Sequence, residues 1–285
     1  MSLEASLSKI RPHTSSSLAH QKAPATLLIA LESVLTDKGT ERSPTAYFAA
    51  LLTTLESSLS KPSFGDGDQL PAILYLFALV APYVPPVVMR SHLSTLLSLL
   101  SPLFPNLVPH APPLRSHLSL FSAIIQALDT SQLDTPGIRQ TFTFILDLTL
   151  DSRPKVRKKA AELVRDVLAH PPMPLVRHPY AERVGEWASA CLITVSSNAG
   201  SFGRQGKKTE GNDAPETGIH LIAMIKPIST YLPTLVSVFH AIMVEHTHDI
   251  SPATPRSYVD ASFPSTPRQP IPFTVIIQSS LYPCL

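Results

Sequence analysis

The stretch Asp151-Ser152-Arg153-Pro154-Lys155-Val156-Arg157-Lys158-Lys159-Ala160 is a short loop feeding a helix, with proline at the first helical position and cations behind it. Pro154 presets a helical φ, and the N–H it lacks would have had no partner in the first turn. Val156, Ala160, Leu163, Val164 and Val167 then recur at i, i+4, i+7, i+8 and i+11, one buried stripe. Upstream, Thr135-Pro136 starts a helix that carries Ile138, Phe142, Ile145 and Leu146 and ends near Leu150. The helix from Pro154 ends before Pro171-Pro172. Together the two occupy about 35 residues, close to the period of a two-helix repeat. Such a pair cannot bury its faces alone, so it predicts neighbours of the same kind.

Those neighbours are legible on both sides. Ser43-Pro44 combines a capping hydroxyl with proline at N1, and Tyr47, Phe48, Leu51, Leu52, Leu55 and Leu59 follow as an inner face. Gly39 closes the helix before it, whose stripe is Leu27, Leu28, Leu31, Val34 and Leu35. After a polar break at 61–68, helices are expected near 71–81, 86–101 and 113–128, the last presenting Leu114, Leu118, Phe121, Ile125 and Leu128 on one face. Val184, Trp187, Ala188, Cys191, Leu192 and Val195 mark another. The alternation of a half-buried strand is absent before the C-terminal tail. The prediction is an all-α fold, an α-solenoid of antiparallel helix pairs over residues 1–197. Residues 198–218 read as a flexible linker of Gly, Lys, Thr, Glu and Asn, and 219–246 as a further helical segment. Residues 247–285, with Ser251-Pro252, Thr254-Pro255 and Thr266-Pro267, read as a disordered tail rich in Pro, Ser and Thr.

Composition agrees with this organisation. A chain of 285 residues that is 44% hydrophobic and 15% charged can bury a substantial core. Its 29 prolines and only 10 glycines suit helix ends and argue against a β-sandwich or barrel built on tight turns. The net charge of +2 exerts no large steering field, so binding to a polyanion has to come from local patches. Cys191 and Cys284 are the only cysteines, which excludes a disulfide framework and the usual zinc site and suits a reducing cytosolic or nuclear compartment. Glu4, Lys9 and Arg11 among serines give no apolar core of a secretory signal. Between Asp68 and Asp129 the only formal charges are Arg90 and Arg115, yet nine prolines from Pro71 to Pro113 chop the segment into pieces too short to span a membrane. No membrane partner is expected.

Chemistry-bearing motifs are sparse. The phosphate-binding loop, the dinucleotide turn and the nucleophile elbow all lack their glycine patterns. His246-Thr247-His248-Asp249 is the nearest approach to a metal cluster, and its spacing does not put two imidazoles on one helical face. No metal, cofactor, catalytic residue or small-molecule substrate is therefore expected. A hydrolase would need a pocket holding a pair of groups with shifted pKa values, which no motif announces. The basic run is the functional candidate. Cations in a helix's first turn oppose the macrodipole at about 0.3–1 kcal/mol each where unscreened, so local stability does not select them. Lys155, Lys158, Lys159 and Arg153 fit RNA phosphate contacts, or a solvated face; Asp151 and Arg157 fit a structural ladder between stacked repeats. Arg204, Lys207 and Lys208 form a second, weaker patch in the linker, where a mobile charged loop is the alternative.

Three segments carry a family resemblance. Leu7-Ser8-Lys9-Ile10-Arg11-Pro12-His13-Thr14-Ser15-Ser16 with Gln21-Lys22, the basic turn from Arg153 to Ala160, and Glu216-Thr217-Gly218-Ile219-His220 resemble the N-terminal region of the ribosomal RNA-processing protein twelve family, long nucleolar HEAT-repeat proteins. The likeness spans residues 5–230 and fades after about Tyr231. It implies a HEAT/armadillo-like helical scaffold in the nucleus and nucleolus, with pre-ribosomal RNA and pre-ribosomal proteins as partners and no catalytic site. The basic turn alone also suits a HEAT-type nuclear transport adaptor that binds protein cargo, with nuclear transport factors as partners.

Overall fold

Local chemistry sets the helix boundaries in the computed structural model, which describes residues 2–201 and 214–232. All of these belong to one unit, Met1–Met243. Expectations for Arg204, Lys207, Lys208, the His246–Asp249 cluster and the 247–285 tail lie outside the described residues. In chain order the α-helices are α1 Leu3–Leu7, α2 Ala19–Asp37, α3 Pro44–Ser58, α4 Gln69–Val80, α5 Pro86–Ser91, α6 Leu93–Leu100 and α7 Phe104–Leu107. They continue with α8 Ala111–Ala127, α9 Thr130–Leu133, α10 Pro136–Leu148, α11 Pro154–Ala169, α12 Tyr180–Ser201 and α13 Ala214–Ile225. Short 3₁₀ turns lie at Arg11–Ser15, Ala81–Tyr83 and Lys226–Tyr231. No strand occurs among the described residues.

Gly39 ends α2 at φ +64°, the left-handed conformation glycine tolerates. There the Thr40 amide donates to the Leu35 carbonyl and the Gly39 amide to that of Thr36, a Schellman closure. The Ser43 hydroxyl caps α3 by accepting the Ala46 amide at 3.2 Å, with Pro44 at N1. Asp129 and Gln132 close a capping box at the start of α9. The helix expected over 86–101 is broken at His92 (φ −102°, ψ 10°). The Val88 carbonyl there accepts both the Ser91 hydroxyl at 2.9 Å and the His92 amide at 3.3 Å, and a serine bonding back in this way competes with the helical ladder. Helix also occupies both ends of the 198–218 segment, because α12 continues to Ser201 and α13 starts at Ala214. Gly218, part of what made that segment read as a loop, sits within α13. A Cβ there would lie 3.1 Å from Val195 Cγ1, so the glycine provides close packing of α13 on α12.

The helices form two layers of a HEAT-type solenoid. Consecutive members of one layer, α2, α4, α8 and α11, pack side by side, and the Lys226–Tyr231 turn follows against α11. The other layer starts with α3, which packs on α4, and α6, which packs on α3; α10 packs on α11. Tyr180 of α12 lies over Phe142 of α10 at 4.4 Å between ring centroids, and its hydroxyl donates to the Leu133 carbonyl. Between the layers the fully buried Phe48 and Phe77 meet edge to face at 5.4 Å. His117 of α8 is also fully buried, between Phe104 and Phe121, and neither ring nitrogen meets a hydrogen-bond partner. Burial pushes its pKa down to about 4.

An ionic lock secures the N-terminus. Glu32 of α2, only 6% exposed, accepts from Arg11 Nη2 at 2.7 Å and from the Tyr47 hydroxyl at 2.9 Å, with Arg42 at 3.6 Å. Arg11 also reaches Glu4, so the 3₁₀ turn at 11–15 is pinned to α1 and α2 together. Burial, and then the Glu32 carboxylate, push the Tyr47 phenol up to about 12.

Candidate nucleic-acid interface

The basic turn joins α10 to α11, and its two arginines have different tasks from those the sequence suggests. Asp151 Oδ1 accepts the Arg153 amide at 2.8 Å, which folds the turn back on itself. In that turn Arg153 Nε and Nη2 grip the two Asp151 carboxylate oxygens at 2.9 and 2.7 Å, a fork-to-fork pair. Arg153 Nη1 donates to the Val108 carbonyl at 2.6 Å, in the turn before α8, and so ties one repeat to the next. Arg157 makes no side-chain pair with Asp151; its Nη1 donates to the Asp151 and Ser152 carbonyls at 2.6 and 3.3 Å. The ladder residue is therefore Arg153, placed among the phosphate contacts on sequence grounds, while Arg157 secures the backbone of the turn. Burial raises the Asp151 carboxyl, and the Arg153 hydrogen bonds outweigh it and hold the group below the usual carboxylate range.

Lys155, Lys158 and Lys159 lie together on α11. Lys155 and Lys158 are exposed and make no ion pair among the described residues, whereas Lys159 lies 3.9 Å from Glu162. All three line a groove of about 1280 Å³ that crosses the faces of α2, α4, α8 and α11. Its floor includes the small residues Ala72, Ala78, Ser116 and Ser119. The carboxylates on its walls are engaged. Asp66 is 3.7 Å from His20, Asp68 accepts from the Ser63 hydroxyl and the Gly65 amide, and Glu162 faces Lys159.

Two further groove residues are invisible to motif reading. Tyr75 of α4 is 44% exposed and lines the groove. Arg115 of α8 also lines it, with Nε buried and without a hydrogen-bond partner. The available signal was isolation: Arg115 is one of two formal charges between Asp68 and Asp129, and Tyr75 is the one residue with a hydroxyl in the apolar run Leu70–Val80. At the groove's end Phe64 stacks on His110 at 5.3 Å. Among the described residues no cluster of His, Cys, Asp or Glu could hold a metal ion, and no helix is long and apolar enough to cross a membrane.

Comparison with known proteins agrees with this architecture. The family described as RRP12-like, N-terminal HEAT repeats, matches residues 10–251, past Tyr231, where the resemblance in the sequence fades. The chain is 27% identical over 223 residues to Ribosomal RNA-processing protein 12 of Saccharomyces cerevisiae, covering 74% of this chain and 18% of that protein. It is 26% identical over 228 residues to the human RRP12-like protein, covering 79% and 16%. A Putative ribosomal RNA-processing protein 12 of Schizosaccharomyces pombe is 29% identical over 157 residues, 54% of this chain and 13% of that one. The chain thus spans less than a fifth of the length of these relatives. No solved structure matches it. With a two-layer helical array and a family match over most of its length, the chain belongs to the RRP12-like proteins, in their N-terminal HEAT-repeat region.

Proposed function

We propose that the chain serves as a non-enzymatic helical-repeat scaffold in ribosome biogenesis, acting in pre-ribosomal RNA processing and pre-ribosome export in the nucleus and nucleolus. It binds pre-ribosomal RNA through Lys155, Lys158 and Lys159 and meets pre-ribosomal proteins over its other surfaces. The observation that carries this reading is the position of the three lysines in one groove, two of them without a carboxylate partner among the described residues. Lys155, in the first turn of α11, works against local stability at the positive end of the helix, and a polyanionic ligand reverses that balance. The names of the relatives, which speak of ribosomal RNA processing, support the same reading. Arg153 takes no part in RNA contact, since its guanidinium is occupied by Asp151 and Val108.

The test is recovery of a tagged chain from cells after ultraviolet crosslinking. Pre-ribosomal RNA and ribosomal proteins should co-purify, with crosslinks mapping to α11. Recovery of folded protein cargo and transport factors without RNA would replace the scaffold by a transport adaptor.

A further inference from the structure

We infer that the groove running from α11 across α8 to α4 is a path for single-stranded RNA, with Lys155, Lys158 and Arg115 on its phosphates and Tyr75 as a stacking platform for a base. This rests on the RNA reading above and adds the strand state and two residues to it.

The groove, at about 1280 Å³, is larger than the roughly 300–1,000 Å³ of small-molecule pockets, which suits a polymer segment. Its charge is arranged for a polyanion. Four cations, Lys155, Lys158, Lys159 and Arg115, face three carboxylates, and the cations gather on α8 and α11, where the one carboxylate, Glu162, is paired with Lys159. Asp66 and Asp68 lie apart, before α4, and among the described residues Lys155, Lys158 and Arg115 have no ion-pair partner. These cations lie on neighbouring helices α8 and α11, and α4 with Tyr75 is the next helix along. Adjacent packed helices are spaced by about 8–10 Å, so the path from the lysines to Tyr75 crosses two such steps. Ala72, Ala78, Ser116 and Ser119 keep the floor low, so a backbone can come close. A large aromatic left 44% exposed beside unpaired cations is the combination that single-strand binders use, in which each base offers a π-face and sequence matters little. A base inside a duplex has both faces covered by stacked neighbours and none to offer Tyr75. The groove therefore selects single strands.

The test uses the full 285-residue chain with a fluorescent oligouridine and, separately, a blunt-ended two-strand RNA duplex, titrated over a range of salt. Tyr75→Ala should weaken oligouridine binding about tenfold, as loss of one base–aromatic stack does, while duplex binding and the salt slope stay unchanged. Tyr75→Phe should restore it. Arg115→Gln should lower the single-strand salt slope by about 0.7. If neither Tyr75→Ala nor Arg115→Gln alters binding while changing the three lysines to Gln still does, the groove path is wrong and the basic-turn reading survives. If the lysine variant is also silent, both fail. Binding of a polyglutamate peptide of matched charge as tightly as oligouridine, with the same loss in Tyr75→Ala, would reassign the groove to an acidic protein segment and overturn the inference.

Discussion

Arg153 holds the Asp151 carboxylate with two parallel hydrogen bonds of 2.9 and 2.7 Å and, with its remaining amino group, holds the Val108 carbonyl of the preceding repeat. One side chain thus fixes the shape of its own turn and the stacking of two turns. Removing it leaves the Asp151 carboxylate, 11% exposed, without its fork. Arg153→Ala should therefore lower stability by about 2 kcal/mol, in the range for hydrogen bonds to charged groups. Arg157→Ala, which loses contacts to carbonyls only, should cost about 1 kcal/mol. Urea denaturation measures both, and an Arg157→Ala loss exceeding that of Arg153→Ala would contradict the assignment.

Arg11 and Glu32 make the second prediction. Arg11→Ala leaves the Glu32 carboxylate buried with only Arg42, at 3.6 Å, and the Tyr47 hydroxyl. The expected loss is about 3 kcal/mol, as for other broken buried pairs. Replacing both Arg11 and Glu32 by leucine should restore only part of it, since the buried charge is gone but the Tyr47 hydroxyl loses its acceptor and Glu4 and Arg42 lose a partner. Equal melting temperatures for wild type and Arg11→Ala would show that the N-terminal turn is not locked.

Acid should destabilise the fold through its buried histidines. Burial pushes His117 and His178 down to about 4, and the Nδ1 of His178 accepts the Tyr180 amide, which requires the neutral ring. Unfolded imidazoles protonate near pH 6.5. Above that pH both rings are neutral in either state and stability is at its full value. As pH falls from about 6.5 towards 4 the unfolded chain binds protons that the folded chain refuses, so stability drops by up to about 1.4 kcal/mol per pH unit for each ring. His117→Leu should remove one of these contributions. Denaturant midpoints at pH 7.0 and 5.5 check it, and an unchanged pH dependence in the variant would show that His117 is not buried neutral.

How much of this was legible depends on how far each feature reaches along the chain. Helix ends at Gly39, Ser43-Pro44, Thr135-Pro136 and Pro154 could be read directly, because a cap or a proline acts within a few residues. The break at His92 could not, since it depends on how Ser91 and His92 share the Val88 carbonyl. Gly218 misled because glycine marks both a turn and a close approach between helices, and only the position of Val195 distinguishes them. Within the basic turn, Arg153 and Arg157 both lie within reach of Asp151. The choice between them was made by the backbone bond from the Arg153 amide, which the spacing of residue types does not encode. Tyr75 and Arg115 became site residues only when α4 and α8 were stacked side by side, a relationship between repeats that no local pattern carries.

The central claim is that the α11 lysines grip RNA phosphates, and salt titration tests it most directly. Single-stranded RNA binding should be measured from low to moderate salt for the wild-type chain and for the variant with Lys155, Lys158 and Lys159 all changed to Gln. At about 0.7 units per phosphate contact, the variant should lose about two units of slope and bind more weakly to every sequence tried, while it still unfolds cooperatively in urea. An unchanged slope in the folded variant would make these lysines a solvated face and would contradict the account.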